Sequence, residues 1–340
     1  MALYGDASIT PRIGFLAEKK MLEHAEPILV LNKFAMSKPL PRNVGTSVMF
    51  RRPVPLALAT TPLTENVTPP QTTFAYENVP IAVNEYGAWM GLTNKITDLH
   101  EDPVGSDMAM LSGEQAAETI EMIMHGVVVA GTQVIRANGA ARTDINTGLT
   151  LGHVRQAVRT LRRQRAKKLT EVLASSPNYA TRAVEASYVA ICHSDLDYAI
   201  RSLAGFTAVA NYGNRQPLCA EEIGSVEDVR FITYPLFAPF MGQGSLTVGS
   251  NLNSAGAGGN RVDVYPILVL GKHAFGAIAL KGSSEFGGAI KPIVRQPGTA
   301  DSNDPLARSG SVAWKTWFGC GILNQNWMVR IEVAALAVPS

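Results

Sequence analysis

Hydrophobic and polar positions follow two different periods along this chain, and the changes of period mark out its parts. Residues 1 to 45 carry only a short helical pattern. Ala17 to Leu31 has amphipathic spacing that Pro27 interrupts, and Pro39 and Pro41 then force an extended passage, so an arm is predicted. From Thr46 the period is two. Thr46 to Arg52 reads as a strand and Thr73 to Val83 as its returning partner. Between them, Pro53 to Gln71 holds Pro53, Pro55, Pro62, Pro69 and Pro70 and the single charge Glu65. Proline fixes φ and removes backbone donors, so this segment is predicted to be a stiff projecting loop rather than core or flexible linker. An exposed, nearly uncharged projection invites aggregation unless it docks on a partner.

The period then becomes helical. Glu114, Glu118 and Glu121 load the first half of Ser112 to Asn138. Ile120, Ile123, Met124, Val127, Val134 and Ile135 recur at helical spacing, Arg136 lies near the end and Gly139 follows as a stop. A spine helix about 40 Å long is predicted there, from a rise of 1.5 Å per residue. A second helix is expected from Thr150 to about Lys168. Leu151, Val154, Val158 and Leu161 form its apolar stripe, and no acid occurs between Asp144 and Glu171. Beyond Pro177 the pattern is mixed. Strands are predicted at Ser187 to Cys192, Val229 to Thr233, Val262 to Leu270, Ala274 to Leu280, Ile290 to Arg295, Val312 to Ile322 and Trp327 to Val338. A helix is expected at Asp195 to Leu203, and a long loop at Met241 to Asn260, which has glycines and no charge.

Composition narrows the function. The chain has 340 residues, 46% hydrophobic and 17% charged, with a formal net charge of +2. Soluble domains carry about 25% charged residues, so much of this surface is expected to be covered by something. The near-balance of charge excludes a polybasic nucleic-acid binder, and the apolar content excludes disorder. The most apolar runs, such as Gly126 to Gly131, are far shorter than the ~18 residues of a membrane span. Met1 to Asp6 shows no basic region leading into an apolar one, so no secretory signal is expected. Cys192, Cys219 and Cys320 are widely spaced and odd in number, which predicts free thiols.

No catalytic, cofactor or metal site is predicted. Gly256, Gly258 and Gly259 do not follow a strand and open a helix, and Gly271-Lys272-His273 lacks the spacing of a phosphate loop. Cys192-His193-Ser194-Asp195 gathers reactive types, but neighbours on a strand face opposite ways; the expected arrangement is a buried cysteine with Asp195 capping the next helix. Histidines and cysteines show no zinc-like spacing. Glu221 and Glu222 are expected to be solvated. Two features stand out. One is the basic face of the second helix, where Arg155, Arg159, Arg162, Arg163, Arg165, Lys167 and Lys168 need nearby acids or phosphates if they are not simply solvated. The other is Asp304-Pro305-Leu306-Ala307-Arg308-Ser309-Gly310-Ser311-Val312-Ala313-Trp314-Lys315-Thr316-Trp317. Its alternating aromatics suit either base stacking or, more commonly, a half-buried strand.

That last stretch resembles a signature of tailed-bacteriophage major capsid proteins similar to that of phage N-four. The matching residues are Asp304-Pro305-Leu306, Gly310, Trp314-Lys315-Thr316-Trp317 and Met328-Val329-Arg330-Ile331-Glu332. In order along the chain come Val48 to Arg52; Leu63-Thr64-Glu65-Asn66-Val67-Thr68-Pro69, with Asn66 where the family has Gly; Tyr188 to His193; and Glu222 to Phe231, with Asp228 where Gly is usual.

The resemblance implies an α+β chain with the tailed-phage coat fold, shared with encapsulins and the herpesvirus capsid floor. Residues 1–45 would be an N-terminal arm and 46–95 an extended loop. Residues 96–176 and 286–340 would form a peripheral domain built on the spine helix, and 177–285 an axial domain. It implies hexamers and pentamers closing an icosahedral shell around double-stranded DNA bound without sequence specificity. A portal, and scaffolding or decoration proteins, would be partners. The location would be the virion, assembled in the host bacterial cytoplasm, with no membrane association and no catalysis. Arg51, Arg52, Leu63, Thr64, Glu65, Val67 and Pro69 of the extended loop would contact another copy. Arg155, Arg159, Arg162 and Arg163 would meet either acids of an adjacent subunit or packaged DNA. Asp304, Pro305, Leu306, Trp314, Lys315 and Trp317 would be structural. An encapsulin-like compartment, or less favourably a soluble α/β enzyme, is the alternative.

Overall fold

The computed structural model describes residues 29–336 other than 42, 44, 64, 100–103, 174–180, 214, 247–251, 255–259, 281–289, 296 and 299–303. The expected helical turns of residues 17–28 and the tip residue Thr64 lie outside the described residues.

Two sheets and one hairpin carry the chain. The hairpin pairs β2 (Ser47–Pro53) with β3 (Tyr76–Ala82) in antiparallel register from Ser47↔Ala82 to Pro53↔Tyr76, as the alternating pattern predicts. Alternation buries Val48 and Phe50 with Ile81, and these close a small core with Leu40, Val83 and Ile278. The first sheet is built on β14 (Ser309–Ile322). One edge of β14 pairs with β4 (Asn84–Thr93) over ten residues. Its other edge takes β13 (Ile290–Arg295) and then β12 (Phe275–Leu280) in line, and β1 (Met36–Leu40) adds in parallel outside β12.

The second sheet runs β5 (Val134–Arg136), β15 (Met328–Ala334), β11 (Val264–Leu270), β7 (Thr181–Cys192), β10 (Val229–Thr233), β9 (Glu222–Val226) and β8 (Phe206–Ala208), with β6 (Leu169–Leu173) also on β7. It is buried on both faces. Val189, Ile191, Leu268 and Leu270 join the core beneath the spine helix, while Tyr188, Ala190, Cys192, Ile267 and Val269 join the core beneath the basic helix. That is why Val264–Leu270 reads as an unbroken apolar run instead of an alternating one.

Four α-helices complete the described residues: α1 (Asn94–Leu99), α2 (Val104–Val129), α3 (Leu151–Arg163) and α4 (Asp197–Arg201). The spine helix α2 begins eight residues before the predicted Ser112 and stops nine before Asn138. Gly131 lies where a Cβ would meet the Met328 Cε at 3.0 Å, and Val134 and Ile135 pair in parallel with Arg330 and Ile331 instead of continuing the helix. Their helical spacing is a coincidence that β-branched residues leave open. The basic helix α3 ends at Arg163, with Arg165 in the left-handed region at φ 53, so Lys167 and Lys168 fall outside it. The predicted helix at Asp195 to Leu203 is a 3-10 turn, Ser194–Leu196, followed by α4. No helix among the described residues is long and apolar enough to cross a membrane.

Candidate inter-subunit surfaces

The extended loop starts from the hairpin. Arg51 donates to Asn78 Oδ1 at 3.0 Å and lies 5.2 Å over the Tyr76 ring, and Arg52 forms an ion pair with Glu77. Both arginines thus hold the two strands together within the chain. Beyond Pro53 and Ala75 the segment is exposed throughout its described residues, with Leu58 at 76% and Leu63 at 78%. Glu65, Val67 and Pro69 are also exposed. Asn66 takes φ 62, a conformation open to Gly and tolerated by Asn, so the turn of the Leu63 to Pro69 motif is kept without glycine. A segment with this much apolar side chain in water gains only from a second surface.

The basic helix presents the second surface. Its arginines line an open depression of about 460 Å³ formed by Arg155, Val158, Arg159, Arg162, Arg163, Glu227 and Asp228. The acids come from the two-residue turn between β9 and β10, where Glu227 takes the positive φ (50) and Asp228, at the position expected for glycine, does not. Arg155 meets Glu227 at 2.6 Å; Arg162 pairs with Asp228, which Lys168 also reaches at 3.0 Å. Burial works to raise the Asp228 pKa, but Lys168 and Arg162 outweigh it and hold the carboxyl below its usual range. Arg159 and Arg163 make no ion pair among the described residues.

The C-terminal motif is architectural. Asp304 and Pro305 open a turn closed by the Ala307 N–H to Asp304 O bond at 3.1 Å. Asp304 Oδ2 accepts from the Ser309 N–H and hydroxyl, which lowers its pKa. Leu306 is exposed. Along β14, Trp314 is buried and donates Nε1–H to Gln115 Oε1 of the spine helix at 3.1 Å, while Lys315 faces outward to Glu85 at 3.1 Å. Trp317 packs against the small core under the hairpin. This is a half-buried strand, not a stacking platform. The three predicted sets of residues are not brought together into one site.

One surface residue escapes the sequence reading. Trp89 on β4 is 74% exposed and lies in register with Ala313 of β14 and Ile293 of β13, so an apolar row crosses the outer face of the first sheet. The signal was the alternation Tyr86, Ala88, Met90 and Leu92, all inward and partly or fully buried, which glycines at 87 and 91 obscure.

The reactive types near Cys192 are structural. Cys192 is buried and its thiol pKa is pushed up by burial; Cys219 and Cys320 are pushed up to about 12, again first by burial. His193, not Asp195, caps the following turn, its Nδ1 accepting the Asp195 N–H at 3.1 Å. Asp195 instead accepts from the Tyr265 hydroxyl at 2.7 Å. Glu222, expected to be solvated, is buried: it accepts from the Tyr212 hydroxyl at 2.7 Å and from the Leu218 N–H. The Tyr212 hydroxyl and the Leu218 N–H, ten and four residues earlier in the chain, are what enclose it.

No family model and no curated protein matches the chain. Solved structures do. A chain from the capsid of Ralstonia phage GP4 is similar with a TM-score of 0.63 at 12% identity, over 93% of this chain and 92% of that one. One from the head of Helicobacter pylori bacteriophage KHP40 gives 0.60 at 10% identity over 91% and 89%, and one from the capsid of cyanophage P-SCSP1u gives 0.56 at 12% over 90% and 88%. The fold of this chain is therefore the one found in phage capsids, at sequence identities of only 10–12%.

Proposed function

We propose that this chain is a major capsid protein of a tailed phage, assembling as hexamers and pentamers into the icosahedral shell that encloses double-stranded DNA. The observation that carries this reading is the exposed, proline-stiffened loop of residues 54–75 on a chain whose capsid fold spans nine tenths of its length. Such a loop costs solubility in a monomer. Laid over a neighbouring copy it buries Leu58, Leu63 and Val67, and its stiffness limits the entropy lost on docking. Many such contacts add through multivalency into a stable shell.

The same reading divides the chain into an arm (1–45), an extended loop (46–95), a peripheral part (96–176 and 286–340) and an axial part (177–285). The second sheet runs across that division, since β15 pairs with β11 along seven residues. The subunit thus supplies binding surfaces and no chemistry. Its place is the virion, after assembly in the host bacterial cytoplasm with a portal and with scaffolding or decoration proteins. The N-four-like motifs ally it with that group of coat proteins.

Electron microscopy of the purified protein tests the reading, with closed shells hundreds of ångströms across expected. A variant joining Pro53 to Tyr76 through a short turn is expected to stay folded by circular dichroism and to form no closed shells. Normal particles from that variant would remove the loop from the mechanism, and a wild-type protein that never forms particles would remove the capsid reading itself.

A further inference from the structure

The two long helices carry opposite charge. The spine helix α2 contains Asp107, Glu114, Glu118 and Glu121 and no lysine or arginine, whereas α3 contains four arginines and no acid. They cannot neutralise one another within a chain, because they cover opposite faces of the second sheet. Ala116, Ile120 and Met124 of α2 pack with Val189 and Leu268, while Val154, Ala157 and Leu161 of α3 pack with Ala190 and Ile267.

Each helix keeps one charged stripe in solvent. On α2, Leu111, Gln115, Glu118 and Met122 follow one another at helical spacing and are all exposed, Leu111 at 52%. Glu118 has no ion pair among the described residues. On α3, Arg155 and Arg162 are held by Glu227 and Asp228, which fixes the walls of the depression and leaves Arg159 and Arg163, one turn apart, as its cations without an ion pair among the described residues.

We infer that, within the shell reading above, a second copy of this chain occupies this depression. The Glu118 carboxylate of that copy sits between Arg159 and Arg163, and Leu111 and Met122 close over the apolar floor at Val158. A carboxylate on an apolar-flanked stripe fits this surface better than DNA does. Glu227 and Asp228 already neutralise Arg155 and Arg162, and the two cations left over suit a single carboxylate but are a small footprint for a polyanion whose binding depends on many. The contact is heterologous, since each copy offers a different helix on each side. Because the two helices lie on opposite faces of the sheet, one pair of chains makes the contact once and leaves one helix of each copy open, so the contact repeats head to tail and forms a ring where the rotation per copy closes. That is the geometry a hexamer or pentamer needs.

Charge reversal and its repair test the inference on the full-length chain. R159E/R163E and, separately, E118R are prepared with folding checked by circular dichroism and thermal melting. Shell yield is read by sedimentation and electron microscopy. Each reversal is expected to lower the yield by about tenfold or more, since like charges then face each other across the contact. The variant carrying all three substitutions is expected to recover most of the wild-type yield. A triple variant no better than its parents overturns the pairing. Reversals that assemble normally while retaining less DNA overturn it in favour of a nucleic-acid surface. If wild-type protein forms no shells, the capsid reading has failed; if it forms them and the variants do too, only this contact has.

Discussion

Glu121, on the inner side of the spine helix, accepts the Leu31 N–H at 2.7 Å and so fastens the arm segment to the core. Burial raises its pKa from 4.5 to about 8, against the lowering effect of the Leu31 and Val30 amides and Lys33. Desolvation wins, and Oε2 has no hydrogen-bond partner among the described residues to offset it. Folding thus favours the protonated carboxyl. The stability it confers is full below about pH 4.5 and is lost as pH rises through about 8. His125, one turn on and stacked against Phe237, behaves oppositely: burial lowers its pKa from 6.5 to about 4, so it costs stability only as pH falls below 6.5. Between pH 6.5 and 8 the carboxyl acts alone of the two. Glu121→Gln keeps an acceptor for Leu31 and removes the proton. The urea midpoint of wild type is expected to fall across that window and that of the variant to stay flatter, and parallel slopes would show that Glu121 ionises normally. A glutamate among helical glutamates gave no sign of this; its burial comes from the arm, some ninety residues earlier in the chain.

At the scale of elements, periodicity located most strands and both long helices, and failed where two elements share a pattern. Val134 and Ile135 fit the spine helix and the sheet equally well, and the partner strand β15, nearly two hundred residues later, decides between them. β4 was hidden by its glycines, of which Gly87 lets β14 approach so closely that a Cβ would lie 2.7 Å from the Trp314 carbonyl oxygen. At Gly319 on β14 the same closeness can be tested. A Cβ there would lie 2.3 Å from the Ala82 carbonyl oxygen, a backbone atom that cannot swing aside. Gly319→Ala is expected to lower unfolding free energy by about 1–3 kcal/mol, as overpacking does. It should also loosen the root of the extended loop, read as faster proteolysis between residues 54 and 75. An unchanged urea midpoint would mean that the strands separate freely at this point.

Across the whole molecule, one buried carboxylate joins distant parts of the chain. Glu332 on β15 is inaccessible and receives Arg142 at 2.7 Å, Arg330 at 3.0 Å and Arg136 at 3.5 Å. Arg142 also stacks 3.7 Å from the Phe240 ring and donates to Gln243, so the axial segment, β5 and β15 meet at this point. Removing the charge leaves three guanidinium groups facing one another. Glu332→Gln is expected to cost about 3 kcal/mol, the usual scale for breaking a buried pair. The loss would be read from urea unfolding of the unassembled subunit, and a change below about 0.5 kcal/mol, the range of ordinary surface substitutions, would dismiss the junction as decorative.

The proline-rich, nearly uncharged loop and the basic helix were legible in the sequence by itself, because each is written in local composition and period. The sequence could not determine what the basic helix does with its charge. Glu227 and Asp228 stand 72 and 66 residues beyond their arginines, and only the antiparallel turn between β9 and β10 brings them to the helix. Folding therefore settled which of these cations have an acid of their own: Arg155 and Arg162 do, and Arg159 and Arg163 make no ion pair among the described residues. It also set α2 and α3 on opposite faces of one sheet. Their charges are thereby held apart within one chain, because each helix is fixed by its own core cluster.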